Sequence, residues 1–220
     1  MHFPSLDAYL KADTPGRARG PLALIFAEDQ AEVDATLTHH LTAGFREVVL
    51  LAPNEIAVAP DVAERTHRVT CDPYADNAVP AAVSTVAAAS PGIWLYWGYN
   101  AEFLFHPFRE TRSVRELIAF HMEERRDAFL AYVIDLYAGD LSRFPNAVSR
   151  EEALLDKSGY YALARTDPAN GHAPKDRQQD FYGGLRWRFE EHVPWTRRRI
   201  DRIALFRSMP GVRLREDNTM

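Results

Sequence analysis

The chain has 220 residues, 46% of them hydrophobic and 26% charged, which is the composition of an ordinary globular protein and excludes a disordered or collagen-like one. A formal net charge of −5 argues against a general nucleic-acid binder, and the single cysteine, Cys71, excludes an internal disulfide or a thiolate cluster for zinc. No apolar leader opens the sequence and no run reaches the ~20 apolar residues of a membrane span, so a cytoplasmic protein without a transmembrane segment is expected.

In chain order, residues 1–20 read as an N-terminal extension, a short helix over Ser5–Lys11 followed by a linker around Pro15 and Gly16. Residues 21–220 read as a single domain. Pro21 introduces Leu22-Ala23-Leu24-Ile25-Phe26, a short apolar run that reads as a buried strand ending in the polar turn Glu28-Asp29-Gln30. Val33, Leu37 and Leu41 recur at helical spacing, and Gly44 stops that helix. Glu47–Ala52 is a second buried strand, so the opening is a β-α-β unit with the right-handed crossover of a parallel sheet. A weak strand over His67–Cys71 and an alanine-rich helix over Ala78–Ala89 follow. They lead to the aromatic run Trp94-Leu95-Tyr96-Trp97, which delivers Tyr99-Asn100-Ala101-Glu102 at its carboxyl end, where open α/β sheets gather their ligands.

Beyond Pro107, Ser113-Val114-Arg115-Glu116 is a capping box for a helix running to about Arg126. Phe129–Tyr137 reads as one strand carrying Asp135, with Asp140 just past it; either acid has the chemistry to take the proton of an acceptor hydroxyl. Ser149–Glu152 reads as a second capping box for a short helix, Tyr160–Ala164 as a strand, and residues 166–180 as a polar, flexible loop. Gly183-Gly184 reads as a turn before an arginine-rich strand whose alternation puts Arg186 and Arg188 on one face. Ile200–Arg207 is the last strand. The chain then stops without a closing element, and a longer natural product or a frayed end is expected. Only three of the 26 basic residues are lysines, and the late arginines, whose planar forks suit phosphate oxygens, form a candidate anion clamp. His39 and His40, adjacent on a helix, point apart and do not form a chelating pair. Trp187 and Trp195 are candidates for stacking on a sugar or base. An unrelated hydrolase or phosphatase lacks support, because neither a Gly-x-Ser-x-Gly elbow nor a Walker loop is present.

Three segments together resemble bacterial family 2 glycosyltransferases of the short GT-A class. They are Leu24–Phe26 with Glu28-Asp29 and His40…Gly44, then Trp94…Tyr99-Asn100-Ala101-Glu102-Phe103, then the helix, acidic strand and basic strand over Val114–Arg207. The resemblance implies a GT-A-like three-layer α/β/α sandwich with a mostly parallel, Rossmann-like central sheet. It implies transfer of a sugar from a nucleotide-diphosphate donor to a carbohydrate acceptor hydroxyl, in the setting of surface-polysaccharide synthesis. It places Glu28, Asp29, Asn100 and Glu102 at the donor, Arg186, Arg188 and Arg202 at the diphosphate, and Asp135 or Asp140 at the acceptor. The positions of the family's Asp-x-Asp acids are Tyr99 and Ala101 here, and neither carries a carboxylate. Three alternatives follow: Mn2+ or Mg2+ held by Glu102 with fewer ligands, arginines in place of the metal, or a degenerate domain that binds a nucleotide sugar or a partner without turnover.

Overall fold

The computed structural model describes residues 1–12 and 19–220. The linker expected around Pro15 and Gly16 lies outside the described residues. The chain forms two compact units. The first comprises Met1–Phe129, Ile203–Glu216 and Met220, and the second Leu130–Arg202 and Asp217–Thr219.

The first unit contains strands β1 (His2–Phe3), β2 (Leu22–Phe26), β3 (Glu47–Ala52), β4 (His67–Thr70) and β5 (Trp94–Tyr99). Its helices are α1 (Leu6–Lys11), α2 (Val33–Ala43), α3 (Pro60–Ala63), α4 (Ala78–Ala89) and α5 (Val114–Glu123). Strands β6 (Ala128–Tyr132) and β11 (Asp201–Arg207) begin in one unit and end in the other. All seven join one mixed sheet in the order β1-β4-β3-β2-β5-β11-β6. The strands from β1 to β5 pair in parallel, and β11 runs antiparallel to β5. The expected mostly parallel α/β sheet is therefore present, with β1 as an added edge strand.

Every residue of β2 and of β3 is buried, as a parallel strand covered on both faces requires. Leu22, Leu24 and Phe26 face a core shared with Tyr9 of α1 and with Val79, Val83 and Val86 of α4. On β5, Trp97 joins that core, while Tyr96 packs against His40 of α2 at 4.8 Å between ring centres and against Phe45. The Trp97 indole is fully buried and its Nε1–H donates to the Ile203 carbonyl at 2.8 Å, so it is both packed and satisfied. Helix α5 starts with the expected capping box: the Ser113 hydroxyl accepts from the Glu116 N–H, and the Glu116 carboxylate accepts from the Ser113 N–H at 2.8 Å.

The second unit departs from the linear reading at four places. The single strand expected over Phe129–Tyr137 is two, β6 and β7 (Leu136–Ala138), because Asp135 between them turns to meet Arg186. The helix expected after Ser149 does not form. The Ser149 hydroxyl does accept from the Glu152 N–H at 3.0 Å, but Ala153–Leu155 then runs as β8, paired antiparallel with β7. The loop expected over residues 166–180 is a hairpin of β9 (Tyr161–Asp167) and β10 (Ala173–Tyr182), tied by Arg165 to Asp180 at 2.7 and 2.9 Å. Arg186 and Arg188 lie not on a strand but on a one-turn helix, α6 (Leu185–Arg188). Gly184 sets that turn, with φ 60° and ψ −140°, a backbone region open essentially to glycine.

Replacing Trp97 by alanine removes the largest fully buried side chain of the first unit and a satisfied N–H. The expected loss is about 3–5 kcal/mol, measured as a fall in the urea midpoint by tryptophan-independent far-UV circular dichroism.

Candidate functional site

The chain leaves β2 toward β3 and β4 on one side and returns to β5 on the other. The order therefore reverses between β2 and β5, and the carboxyl ends of these two strands border a topological switch point. The ladder runs to that edge: the Ala27 N–H donates to Leu51 O, the Asn100 N–H to Phe26 O and the Cys71 N–H to Ala52 O, each within 3.1 Å. Backbone pairing is used up to the last strand residue, so the side chains beyond it define the crevice. They come from Glu28, Asp29 and Gln30 after β2, Asn54 after β3, Asp72 after β4, and Asn100 and Glu102 after β5.

Asn100 joins the two sides. Its Oδ1 accepts from the Glu28 N–H at 3.0 Å, while its Nδ2 donates to Asp29 Oδ1 at 2.5 Å and to the Ala31 carbonyl at 2.9 Å. Asp29 Oδ1 also accepts from the Ala31 N–H at 2.9 Å. Gln30 reaches the loop after β3, donating to the Ala57 carbonyl and accepting from the Ala57 N–H at 2.9 and 2.7 Å. Asp34 accepts from the Ala59 N–H at 2.9 Å. Side chains thus tie the loops after β2, β3 and β5 to one another.

Glu102 turns back over the strand that delivers it. Its Oε2 accepts from the Tyr99 N–H at 2.8 Å. A Cβ on Gly98 would stand 3.0 Å from that oxygen and 2.7 Å from the Tyr96 hydroxyl, so the glycine makes room for both. Ala101, between Asn100 and Glu102, takes φ 58°, and its N–H donates to Thr36 Oγ1 at 2.9 Å, while Thr36 donates to the Glu32 carbonyl. His40 is fully buried beside this group and donates from Nδ1 to the Thr36 carbonyl at 2.8 Å. His39 donates from Nε2 to the Leu104 carbonyl instead, so the two histidines serve different contacts. Burial pushes the His39 pKa below that of a free imidazole.

This donor set does not fit a divalent cation. Asn100 Oδ1 faces a backbone N–H, one Glu102 oxygen closes a turn, and Tyr99 and Ala101 add no carboxylate. Among the described residues, no group of three His, Cys, Asp or Glu side chains is placed to hold a metal.

The remaining sequence-derived candidates lie in or at the border of the second unit. Asp135 is gripped by Arg186 through two bonds at 2.7 and 3.1 Å, and Arg186 Nη1 also donates to the carbonyls of Arg197 and Arg199. Arg188 pairs with Asp156 and with the Ser158 hydroxyl, and these contacts hold the Asp156 carboxyl far below the usual range. Asp180 and Asp201 share Arg199, whose Nη2 lies 3.2 and 2.5 Å from them. Arg202 is buried. Asp140 accepts from the hydroxyl and N–H of Ser142, which lowers its pKa and weakens it as a base. Asp135 and Arg186, which the resemblance sets at opposite ends of a transfer reaction, are here partners of one another.

Sequence reading missed Thr36, Gln30, Gly98 and Tyr96. Gly98 inside an otherwise aromatic strand is the one legible signal, since a strand glycine marks a close approach; a polar residue on a helix face or in a loop carries no such mark. Comparisons with protein-family models, with curated proteins and with solved structures find no match.

Asn100→Ala removes three hydrogen bonds at the junction of two loops. The expected outcome is a stability loss of about 1–3 kcal/mol and faster hydrogen exchange at the Glu28 amide, read residue by residue by NMR. Ser142→Ala is expected to raise the Asp140 pKa toward the ordinary carboxylate value in an NMR titration. Because the folded-state value is depressed, the stabilisation from this turn is present above the ordinary carboxylate pKa and fades as the pH falls through the lowered one.

Proposed function

We propose that the chain is a GT-A-like glycosyltransferase that binds a nucleotide-diphosphate sugar at the crevice between the carboxyl ends of β2 and β5. The observation that carries this reading is the reversal of strand order at these two strands, with Glu28, Asp29, Asn100 and Glu102 gathered at their ends. The resemblance of the β2–α2–β3 and β5 segments to family 2 glycosyltransferases supplies the ligand class. Loops fixed by Asn100 and Gln30 supply a preformed site, which lowers the ordering cost of binding. The expected binding does not depend on a divalent metal, since no carboxylate stands at the Asp-x-Asp positions and Asn100 Oδ1 and Glu102 Oε2 already accept from backbone N–H groups. The acceptor hydroxyl still requires a base, and the leaving diphosphate a cation.

The pairing of Asp135 with Arg186, together with the weakened Asp140, favours a second reading: a degenerate domain that holds the nucleotide sugar or a partner without turnover.

Calorimetric titration with UDP, GDP and CDP, with and without manganese, tests both. Saturable binding of one of them, unchanged by manganese and slowing hydrogen exchange at residues 28–31 and 99–102, is the expected result. Absence of binding by any nucleoside diphosphate overturns the proposal. Binding of the matching nucleotide sugar without release of nucleotide, across a panel of saccharide acceptors and water, moves the assignment to the second reading.

A further inference from the structure

The sequence offers two tryptophans with polar neighbours, Trp187 and Trp195, and the second unit uses them differently. Trp187 is committed to packing. Its ring lies on the backbone of Gly159, where a Cβ would stand 2.1 Å from it, so only a glycine fits beneath the indole. Tyr160 lies over Gly183 in the same way. Trp195 has no such contact. It is 65% exposed, and its indole N–H donates to no group among the described residues.

Trp195 ends a file of three rings. Tyr161 and Tyr182 are directly opposed on β9 and β10, and their rings stack at 5.4 Å and 18°. Tyr182 in turn meets Trp195 at 5.8 Å and 32°. The middle ring, Tyr182, is only 6% exposed, whereas Tyr161 is 39% exposed. The Trp195 backbone is fixed as well. It opens the 3-10 turn Trp195–Arg197, in which the Arg197 N–H donates to Pro194 O at 2.8 Å and the Arg198 N–H to Trp195 O at 3.2 Å. An ion pair borders the ring. The Arg198 guanidinium lies 5.8 Å from the ring centre, its Nε donates to Val193 O at 2.8 Å, and its Nη1 is 3.8 Å from Glu190.

We propose that Trp195, flanked by Arg198 and Glu190, is a binding site for a neutral saccharide, whose pyranose ring stacks its C–H face on the open face of the indole. A pyranose has a face of C–H bonds and a rim of hydroxyls. Its C–H groups are weakly positive and meet the negative face of the aromatic ring. Its hydroxyls both donate and accept, so they match a carboxylate and a guanidinium side by side. The charge balance selects a neutral ligand. Residues 190–198 carry two glutamates and two arginines, so no net positive charge awaits a phosphate. An apolar partner is disfavoured, because it would strip water from the Arg198–Glu190 pair without replacing the lost hydrogen bonds. A sugar replaces them. Tyr182 already holds the indole in place, so little ordering cost opposes binding. The inference uses the second unit alone and is independent of the nucleotide reading.

The experiment is a titration of the full chain with cellopentaose, maltopentaose and N-acetylchitopentaose at millimolar concentrations. The readout is the indole N–H resonance of Trp195, assigned through its backbone by NMR. A saturable shift of that resonance with at least one of the three is the expected result. Trp195→Ala is expected to raise the dissociation constant at least tenfold, and Trp195→Phe, which keeps a ring, to raise it less. Far-UV circular dichroism is expected to be unchanged in both, since the side chain is exposed. A Trp195 resonance that none of the three saccharides moves overturns the proposal, and so does binding that Trp195→Ala leaves intact. A shift with adenosine monophosphate but with no saccharide assigns the ring to a nucleobase and also overturns it. Where a variant fails to fold, the wild-type resonance decides.

Discussion

All five residues of Leu22–Phe26 are buried, and so are all six of Glu47–Ala52. Strands with no exposed face cannot carry chemistry along their length, because a polar side chain placed there would need a buried partner. Glu47 shows what that takes: its carboxylate accepts from the Tyr9 hydroxyl at 2.6 Å, deep in the unit. Polar function is therefore driven to where the strands end. The ladder extends through Ala27, Cys71 and Asn100, and the first side chains free of it face the crevice at the switch point.

At that crevice, groups that look like ligands act first as architecture. Asn100 ties the turn after β2 to the end of β5, and Glu102 folds back over Gly98. A hydrogen-bonded carboxylate or amide is not thereby barred from meeting a ligand, but its orientation is set by the bonds it already makes. The result is a rim whose side chains are oriented by bonds within the chain. In the second unit, Arg186, Arg188 and Arg199 each face an aspartate, so the late basic run is balanced locally and projects little net positive charge.

Legibility followed the type of interaction. Strands β2, β3 and β5 were readable because burial on both faces writes continuous apolar runs, and α5 because a capping box is a local, four-residue signal. The second unit was not readable in the same way. Ser149 and Glu152 formed their capping contact, yet the chain continued as a strand because Leu154 and Leu155 found Tyr137 and Leu136 across a ladder. The stretch over residues 166–180 is polar and looks like a loop, but Arg165 meets Asp180 across a hairpin, a pairing fifteen residues apart that no local window contains. Arg186 and Arg188 alternate like strand residues, and one glycine backbone angle places them on a helical turn.

The sequence by itself determined the parallel α/β core and the placement of Asn100 and Glu102 at the end of β5, because burial and strand period are properties of neighbouring residues. Only the tertiary structure decided what the acids and arginines do. Asp135 and Arg186 are 51 residues apart, and Asn100 and Asp29 are 71 apart. A charge announces its sign in the sequence but not its partner, and once paired it is a structural tie whose availability to a ligand is set by geometry.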